Sequence, residues 1–373
     1  MRARRWLQPG LAFAATLPWI AACEFTGPQS ALDPAGPVSQ AQRDLFMWTF
    51  WLSWPVMIGV FGALIYALWR FRARDAQAAR EIPHQTHGNT RLEIAWTLIP
   101  VILVILVAVP TVRTIFATEQ RVTAGPDDVA VHATGYQWWF KFEYPDLGIT
   151  TANELIIPVG KRVVMSLDSA DVLHSFWVPN LAGKRDMIPN QDNQIWFTAD
   201  RAGTYFGQCA ELCLGAHAYM RFRVIAKEEA EYQRWVAAFQ DAEGRTAAAA
   251  ATGDAQIERG RLLTAQKGCV GCHVIDGFYP GVPVGNPGYP NLTNFGLRTT
   301  VGAAIADNTP ENLAAWLRDP QAMKPGNFMP ALWTADDPNR EAEIEAIVAY
   351  LLNLGREPAA TAQLDTGGDH GRQ

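Results

Sequence analysis

Charge is scarce in this chain of 373 residues: 18% of its side chains are charged, with a formal net charge of −6. Without a basic surplus there is no electrostatic footprint for nucleic acid, and that class of partner is set aside. Cysteine is scarce as well. Five are present, as a lone Cys23, a Cys-x3-Cys and a Cys-x2-Cys-His. That is not a disulfide framework, so each group asks for its own explanation. What the chain has in quantity is apolar and aromatic: 49% hydrophobic residues and 14 tryptophans. Much of the tryptophan lies in or beside long apolar runs, as in membrane proteins with interfacial aromatics. The length allows two or three domains.

Met1-Arg2-Ala3-Arg4-Arg5 is a basic start, and the apolar run Leu11–Ile20 after it is broken by Pro18. The run is too short to span a bilayer comfortably, so residues 1–22 read as a signal peptide. Ile20-Ala21-Ala22-Cys23 resembles a bacterial lipobox, which makes Cys23 the lipidated first residue of the mature chain; the alternative is ordinary cleavage after Ala22 with a free thiol. Residues 23–43 form a periplasmic tether in this reading, its Gly27–Pro37 stretch of Pro, Gly and Ser exposed. A hairpin of two membrane helices is expected over 44–117, at about 46–69 and 94–115, because Phe46–Trp69 and Ile94–Val112 are long apolar runs without a polar face. Pro55, Gly59 and Gly62 are tolerable there. Between the runs lie Arg70, Arg72, Arg74, Arg80 and Arg91 against Asp75, Glu81 and, at the very end, Glu93. This puts the connecting loop in the cytoplasm and everything after the second span outside.

From Asp128 to Ala226 come short strand-like runs: Val129–Thr134, Trp138–Tyr144, Glu154–Val159, Arg162–Leu167, Gln194–Thr198 and Phe222–Ala226. Turn signals such as Pro145-Asp146 separate them, which suits a Greek-key sandwich or barrel. Within this region Gly207–Met220 brings Cys209, Cys213, His217 and Met220 together, on a loop between strand-like flanks. Two thiolates, an imidazole and a thioether are a soft donor set suited to copper. A disulfide leaves the histidine and methionine unexplained, the flanks weigh against a helical stripe, and zinc lacks a fourth strong ligand. Copper is the reading preferred. The aromatic cluster Tyr136–Tyr144 alternates between strand faces, so about half of it is expected to be exposed or buried in a partner.

Lys227–Phe239 reads as an amphipathic helix closing this domain at about residue 240, and the Ala- and Gly-rich 241–254 as a linker. Then comes Gly268-Cys269-Val270-Gly271-Cys272-His273, the Cys-x-x-Cys-His motif of covalent haem c. Cys269 and Cys272 would carry the thioethers and His273 the proximal iron bond. The stretch Asp319–Pro330 resembles the methionine loop of class I cytochromes c, with Met329 before a proline as the axial ligand and Met323 as runner-up. Helices at Gln256–Gln266 and Glu341–Leu354 would bracket a domain over 255–357, followed by a disordered tail, 358–373.

Cys-x-Glu-x-Cys-x-x-x-His-x-x-Met, from Cys209 to Met220, resembles the binuclear Cu-A loop of subunit II of haem-copper cytochrome c oxidases. The resemblance implies two copper ions bridged by Cys209 and Cys213, one histidine on each, and Met220 and the Glu211 backbone carbonyl completing the set. It demands a second histidine upstream, which Asp171–Pro179 supplies as His174. It further implies a cupredoxin-like fold, electrons entering at Trp138, and a magnesium ion at the Glu211 carboxylate facing subunit I. The third aromatic of the Trp138 motif is a tryptophan in the family and is Phe140 here. Asn89–Thr97 also looks like the family's second helix, so the resemblance to the branch with a fused cytochrome c covers nearly all of the mature chain. Asp171 either orients a ligand, lies at a docking surface or is an ordinary surface acid.

The fold expected is therefore multidomain: a two-helix transmembrane hairpin, an all-β cupredoxin-like Greek-key domain and an all-α class I cytochrome c domain. The function implied is that of the electron-accepting subunit of a proton-translocating cytochrome-c oxidase. It would pass electrons from cytochrome c, including its own haem c, through Cu-A to subunit I, where oxygen is reduced, with no catalytic residue in this chain. Implied partners are subunits I and III, cytochrome c or an upstream quinol–cytochrome c reductase, and membrane lipid. The implied place is the bacterial inner membrane, crossed twice, with the amino terminus and the copper and haem domains outside. The Cu-A subunit of a nitric oxide reductase is the alternative. A copper-delivery factor is disfavoured, since a carrier has no use for a haem.

Overall fold

The computed structural model describes residues 26–73, 85, 87–241, 253–279 and 281–356. The signal peptide with Cys23, most of the basic loop, most of the linker and the tail lie outside them. Two units result, one formed by Val38–Gln120 and the other by the rest.

The first unit is a pair of helices, α1 (Pro37–Arg70) and α2 (Thr90–Thr118). At a rise of 1.5 Å per residue they measure about 51 and 43 Å, more than the hydrocarbon thickness of a bilayer. Both extend beyond the apolar runs that announce them. No residue of α2 is buried, and in α1 only Val38 and Ser39 are. Helices apolar on every side and uncovered on every side are what lipid requires. The Asn89 carboxamide caps α2 by accepting from the Arg91 and Leu92 N–H groups. Trp48 ties the pair by donating its indole N–H to the Leu106 carbonyl at 3.0 Å.

The second unit begins with a β-sandwich. Its strands are β1 (Val129–Tyr136), β2 (Trp139–Tyr144), β3 (Ile149–Ala152), β4 (Glu154–Pro158), β5 (Arg162–Ser169), β6 (His174–Trp177), β7 (Arg185–Met187), β8 (Asn193–Thr198), β9 (Gly203–Cys209) and β10 (Arg221–Lys227). One sheet has the order β3-β2-β1-β5-β8 and the other β4-β10-β9-β6-β7. The pairs β1–β5 and β4–β10 are parallel, so the chain crosses between sheets rather than meandering. Between the sheets Phe140, Phe142, Phe176, Phe197 and Phe222 are fully buried and pack edge-to-face or offset. Helix α3 (Glu229–Gln240) closes the sandwich with Tyr232, Val236 and Phe239, and lays Trp235 against Tyr144.

Two expectations change here. Gly27–Pro37 is not an exposed tether: its polypeptide is strapped to the sandwich. The Asn180 carboxamide donates to the carbonyls of Ser30 and Asp33 at 3.1 and 2.9 Å, the Ala35 N–H donates to the Asn180 carbonyl, and Asp33 pairs with Arg201. A single asparagine thus anchors the backbone of this proline-rich stretch to the sandwich. The aromatic cluster, about half of it expected to be exposed or buried in a partner, is covered within this chain. Trp138, Trp139, Phe140, Phe142 and Tyr144 are all buried. The outward Trp139 stacks on Tyr136 and is covered by Ala303 of the C-terminal domain.

That domain comprises α4 (Ala255–Gln266), α5 (Cys269–Cys272), the short hairpin β11 (Thr300–Val301) and β12 (Ala306–Asp307), α6 (Pro310–Arg318), α7 (Pro320–Met323) and α8 (Arg340–Asn353). Asp254 caps α4 and Thr309 caps α6, each through its side-chain oxygen. The terminal helices α4 and α8 cross where Gly260 meets Ala346. A Cβ at Gly260 would overlap the Ala346 carbonyl, so only glycine permits the crossing. Gly260→Ala should therefore destabilise this domain by about 1–3 kcal/mol through overpacking. Thermal unfolding of the whole chain should show an earlier transition for the C-terminal domain alone.

Candidate functional site

Strand β9 ends at Cys209 and β10 starts after Met220; the Cys209 N–H donates to the Met220 carbonyl at 2.9 Å and closes the loop between them. A 3-10 turn, His217–Tyr219, points its histidine back into that loop. Strand β6 pairs with β9 in the register Phe176↔Cys209, which sets His174, at the start of β6, beside the loop. Gly135 on β1 leaves room for the His174 ring, which a Cβ there would strike at 2.7 Å.

All six residues of the expected copper set converge. Cys209 Sγ lies 3.9 Å from Cys213 Sγ, 3.9 Å from His174 Nδ1 and 3.2 Å from the Glu211 carbonyl. Cys213 Sγ lies 3.4 Å from His217 Nδ1 and 3.8 Å from Met220 Sδ. Both thiols are free and buried, so the disulfide alternative falls. His174, Cys209 and Cys213 place their donor atoms within 4.8 Å of one another, a spacing that a metal can bridge. The donors are thiolate, imidazole, thioether and carbonyl; they fit copper.

Electrostatics prepare the cluster. The contact with Cys213 pulls the Cys209 thiol down to about 4, with His174 assisting, while the same contact pushes Cys213 up. A metal held by both sulfurs needs both deprotonated, so its binding would release protons. Burial pulls His174 down, but its bonds to Asp171 and Cys209 more than reverse this. Its Nε2 meets Asp171 at 2.7 Å, which leaves Nδ1 for the metal. Asp171 also accepts from the Gln137 N–H at 2.7 Å. Of the three readings weighed for Asp171, the contact with His174 fits orienting a ligand.

Beneath the loop, Gln137 Nε2 and Trp138 Nε1 both donate to the Cys213 carbonyl, at 2.9 and 3.0 Å. The Trp138 ring packs so closely under Gly215 that a side chain there would collide with it. Glu211 is half-buried, and Leu212 and Leu214 beside it are exposed.

The C-terminal domain holds a cavity of about 440 Å³. Cys269, Cys272, His273 and Met329 line it; Met323 does not. His273 Nδ1 donates to the Pro290 carbonyl at 2.8 Å, so its Nε2 is left for iron. Burial lowers the His273 pKa, which keeps the ring neutral as a ligand must be. The remaining lining is chiefly apolar, with Leu292, Phe295, Trp316 and Leu351 among it, as a porphyrin needs. The residues fit a covalent haem. Tyr136, Gln137, Trp138 and Asp171 of the sandwich line the same cavity.

Three family models match the chain. "Cytochrome C oxidase subunit II, transmembrane domain" covers residues 28–114, "Cytochrome C oxidase subunit II, periplasmic domain" covers 147–227, and "Cytochrome c" covers 257–355. Cytochrome c oxidase subunit 2 of Alkalihalophilus pseudofirmus is 39% identical over 87% of this chain and 90% of its own length. The chain belongs to the cytochrome c oxidase subunit II family. The same subunit of Bacillus subtilis is 34% identical over 88% of this chain and 92% of its own. Quinol oxidase subunit 2 of Bacillus cereus, at 36% identity, covers only 57% of this chain and 73% of its own.

Family membership makes this chain a two-pass membrane protein with a soluble C-terminal portion, a part of a haem-copper oxidase and hence of an oxidoreductase, with subunit I as partner. Copper of the Cu-A type and haem c are its cofactors. Sequence reading did not single out Gln137 and Lys324. Lys324 is buried, its Nζ donates to the Trp138 carbonyl at 2.6 Å, and burial lowers its pKa to about 7. Nothing in its neighbourhood along the chain marks it.

Because Asp171 orients His174 without touching metal, Asp171→Ala should weaken copper binding about 10–100-fold while leaving haem attachment unchanged. A competition titration with a copper chelator checks this.

Proposed function

We propose that this chain is the electron-accepting subunit of a proton-pumping cytochrome c oxidase. It takes electrons from cytochrome c, its own fused domain included, and delivers them to subunit I for reduction of oxygen to water. The observation that carries this reading is the unbroken run of contacts between the two cofactor sites. The Phe328 ring, next to Met329, lies 4.7 Å from the Trp138 ring, and Trp138 is hydrogen-bonded to Cys213.

Copper and haem c supply the one-electron chemistry when bound. Cys209 and Cys213 would bridge two copper ions, with His174 and His217 one on each and Met220 and the Glu211 carbonyl completing the set. Cys269 and Cys272 would hold the haem covalently, with His273 and Met329 on its iron. Met329 is preferred to Met323 because the cavity takes in only the former. The strands fix the donor atoms, so little has to move when an electron arrives. Trp138 is the residue through which electrons enter. The Glu211 carboxylate, beside the exposed Leu212 and Leu214, suits a magnesium ion at the face toward subunit I. The chain sits in a bacterial inner membrane with both cofactor domains in the periplasm; subunit III and cytochrome c or its reductase complete the assembly, and Cys23 carries the lipid.

Rapid mixing of the purified complex with a reductant of haem c tests this. The wild type should pass electrons on to subunit I, and Cys209→Ala should keep its haem c reducible yet lose oxygen consumption by at least a thousandfold, on the order of the loss of an essential group. Oxygen consumption surviving in Cys209→Ala would overturn the reading. Met329→Ala should lower the haem c reduction potential, and Met323→Ala should leave it unchanged, as a redox titration will show.

A further inference from the structure

Two ionisable side chains are buried where the haem domain meets the sandwich, and neither belongs to the copper or haem ligand sets. Glu154, at the head of β4, is 4% exposed. One of its carboxylate oxygens accepts from the Thr299 N–H at 2.9 Å, the Thr299 hydroxyl at 2.9 Å, the Thr300 N–H at 2.8 Å and the Thr300 hydroxyl at 2.7 Å. All four donors belong to the haem domain. Lys324, in the methionine loop, is likewise 4% exposed and donates from the opposite direction, haem domain to sandwich, at the Trp138 carbonyl. Between these points Tyr136, Trp139, Ala152 and Ala303 form an apolar seam, and Arg223 donates across it to the Ala304 carbonyl at 3.1 Å. Separated, both polar groups would be hydrated; buried, they are tolerable only with these partners in place.

We propose that Glu154 and Lys324 clamp the haem domain onto the sandwich, which makes that domain a fixed cap over Trp138 rather than a tethered shuttle. Building on the function proposed above, both are positioning residues for electron transfer. They hold the methionine loop so that Phe328 stays on Trp138 and Gly326 passes against Gly215 and Ala216. Trp138 is only 7% exposed under this cap. An external donor therefore has no open face at that ring, and its electrons reach copper only by way of the fused haem domain.

The test uses the detergent-solubilised complex with a protease site inserted in residues 242–252. After cleavage, size-exclusion chromatography read at the haem band should find the wild-type haem domain retained. Glu154→Ala with Lys324→Met should release it, since losing such buried hydrogen bonds weakens docking about tenfold or more at each. Thr299→Val with Thr300→Val removes two of the donors from the other side and should weaken retention in the same direction, should the first variant fold poorly. A wild-type haem domain that elutes separately overturns the clamp, and so does retention that both sets of variants leave intact. This readout needs no electron transfer, so it stands or falls apart from the oxidase reading. A second readout separates positioning from mere stability. Haem-to-copper electron transfer should be insensitive to added glycerol in the wild type. In the clamp variants it should be at least tenfold slower and glycerol-sensitive, with haem and copper spectra unaltered; equal, glycerol-insensitive rates overturn the positioning role.

Discussion

The copper end of the sandwich depends on one strand pairing, β6 with β9. The register Phe176↔Cys209 and Trp177↔Gln208 fixes the start of β6 beside the end of β9, and so fixes His174 beside Cys209. A shift by one residue would turn His174 to the other face of the sheet and leave a loop with one histidine. The phenylalanines between the sheets hold that register, because Phe176 packs on Phe142, Phe197 and Phe222 at once. The core thus acts on function indirectly. It fixes a register, the register fixes a donor atom, and Asp171 then fixes which nitrogen of the ring is offered.

The loop itself is a compact solution to a desolvation problem. Two buried thiolates close together repel one another without a counter-charge. A bridging cation removes that conflict. The Cys213 carbonyl, buried in the interior, accepts from both Gln137 and Trp138. One backbone oxygen thereby joins the metal loop to the aromatic ring that the haem domain covers.

How much of this was legible in the sequence follows from how local each feature is. Cys209, Cys213, His217 and Met220 fall within one loop, and Cys269–His273 within one turn, so spacing alone exposes them. The two membrane helices are legible because their apolar runs are long and uninterrupted. His174 lies 35 residues before Cys209 along the chain; no spacing links them, and only the resemblance pointed to it. Short β3 and β7 carry too few residues for an alternation to register. The strap held by Asn180 reads as a loose proline-rich tether because its partners are about 150 residues away. Glu154 and Lys324 are hidden for the same reason: their partners lie 145 and 186 residues distant. The alternation in Tyr136–Tyr144 was real, but its outer face found cover in the chain's own haem domain.

The central claim is that the loop holds two copper ions sharing one electron. Electron paramagnetic resonance of the purified, oxidised complex, with copper and haem c quantified on the same sample, tests it most directly. One unpaired electron delocalised over two equivalent copper nuclei splits into seven hyperfine lines, and the account predicts that pattern with two coppers in this subunit for each haem c. A four-line spectrum from a single localised copper, with one copper in this subunit for each haem c, would contradict it.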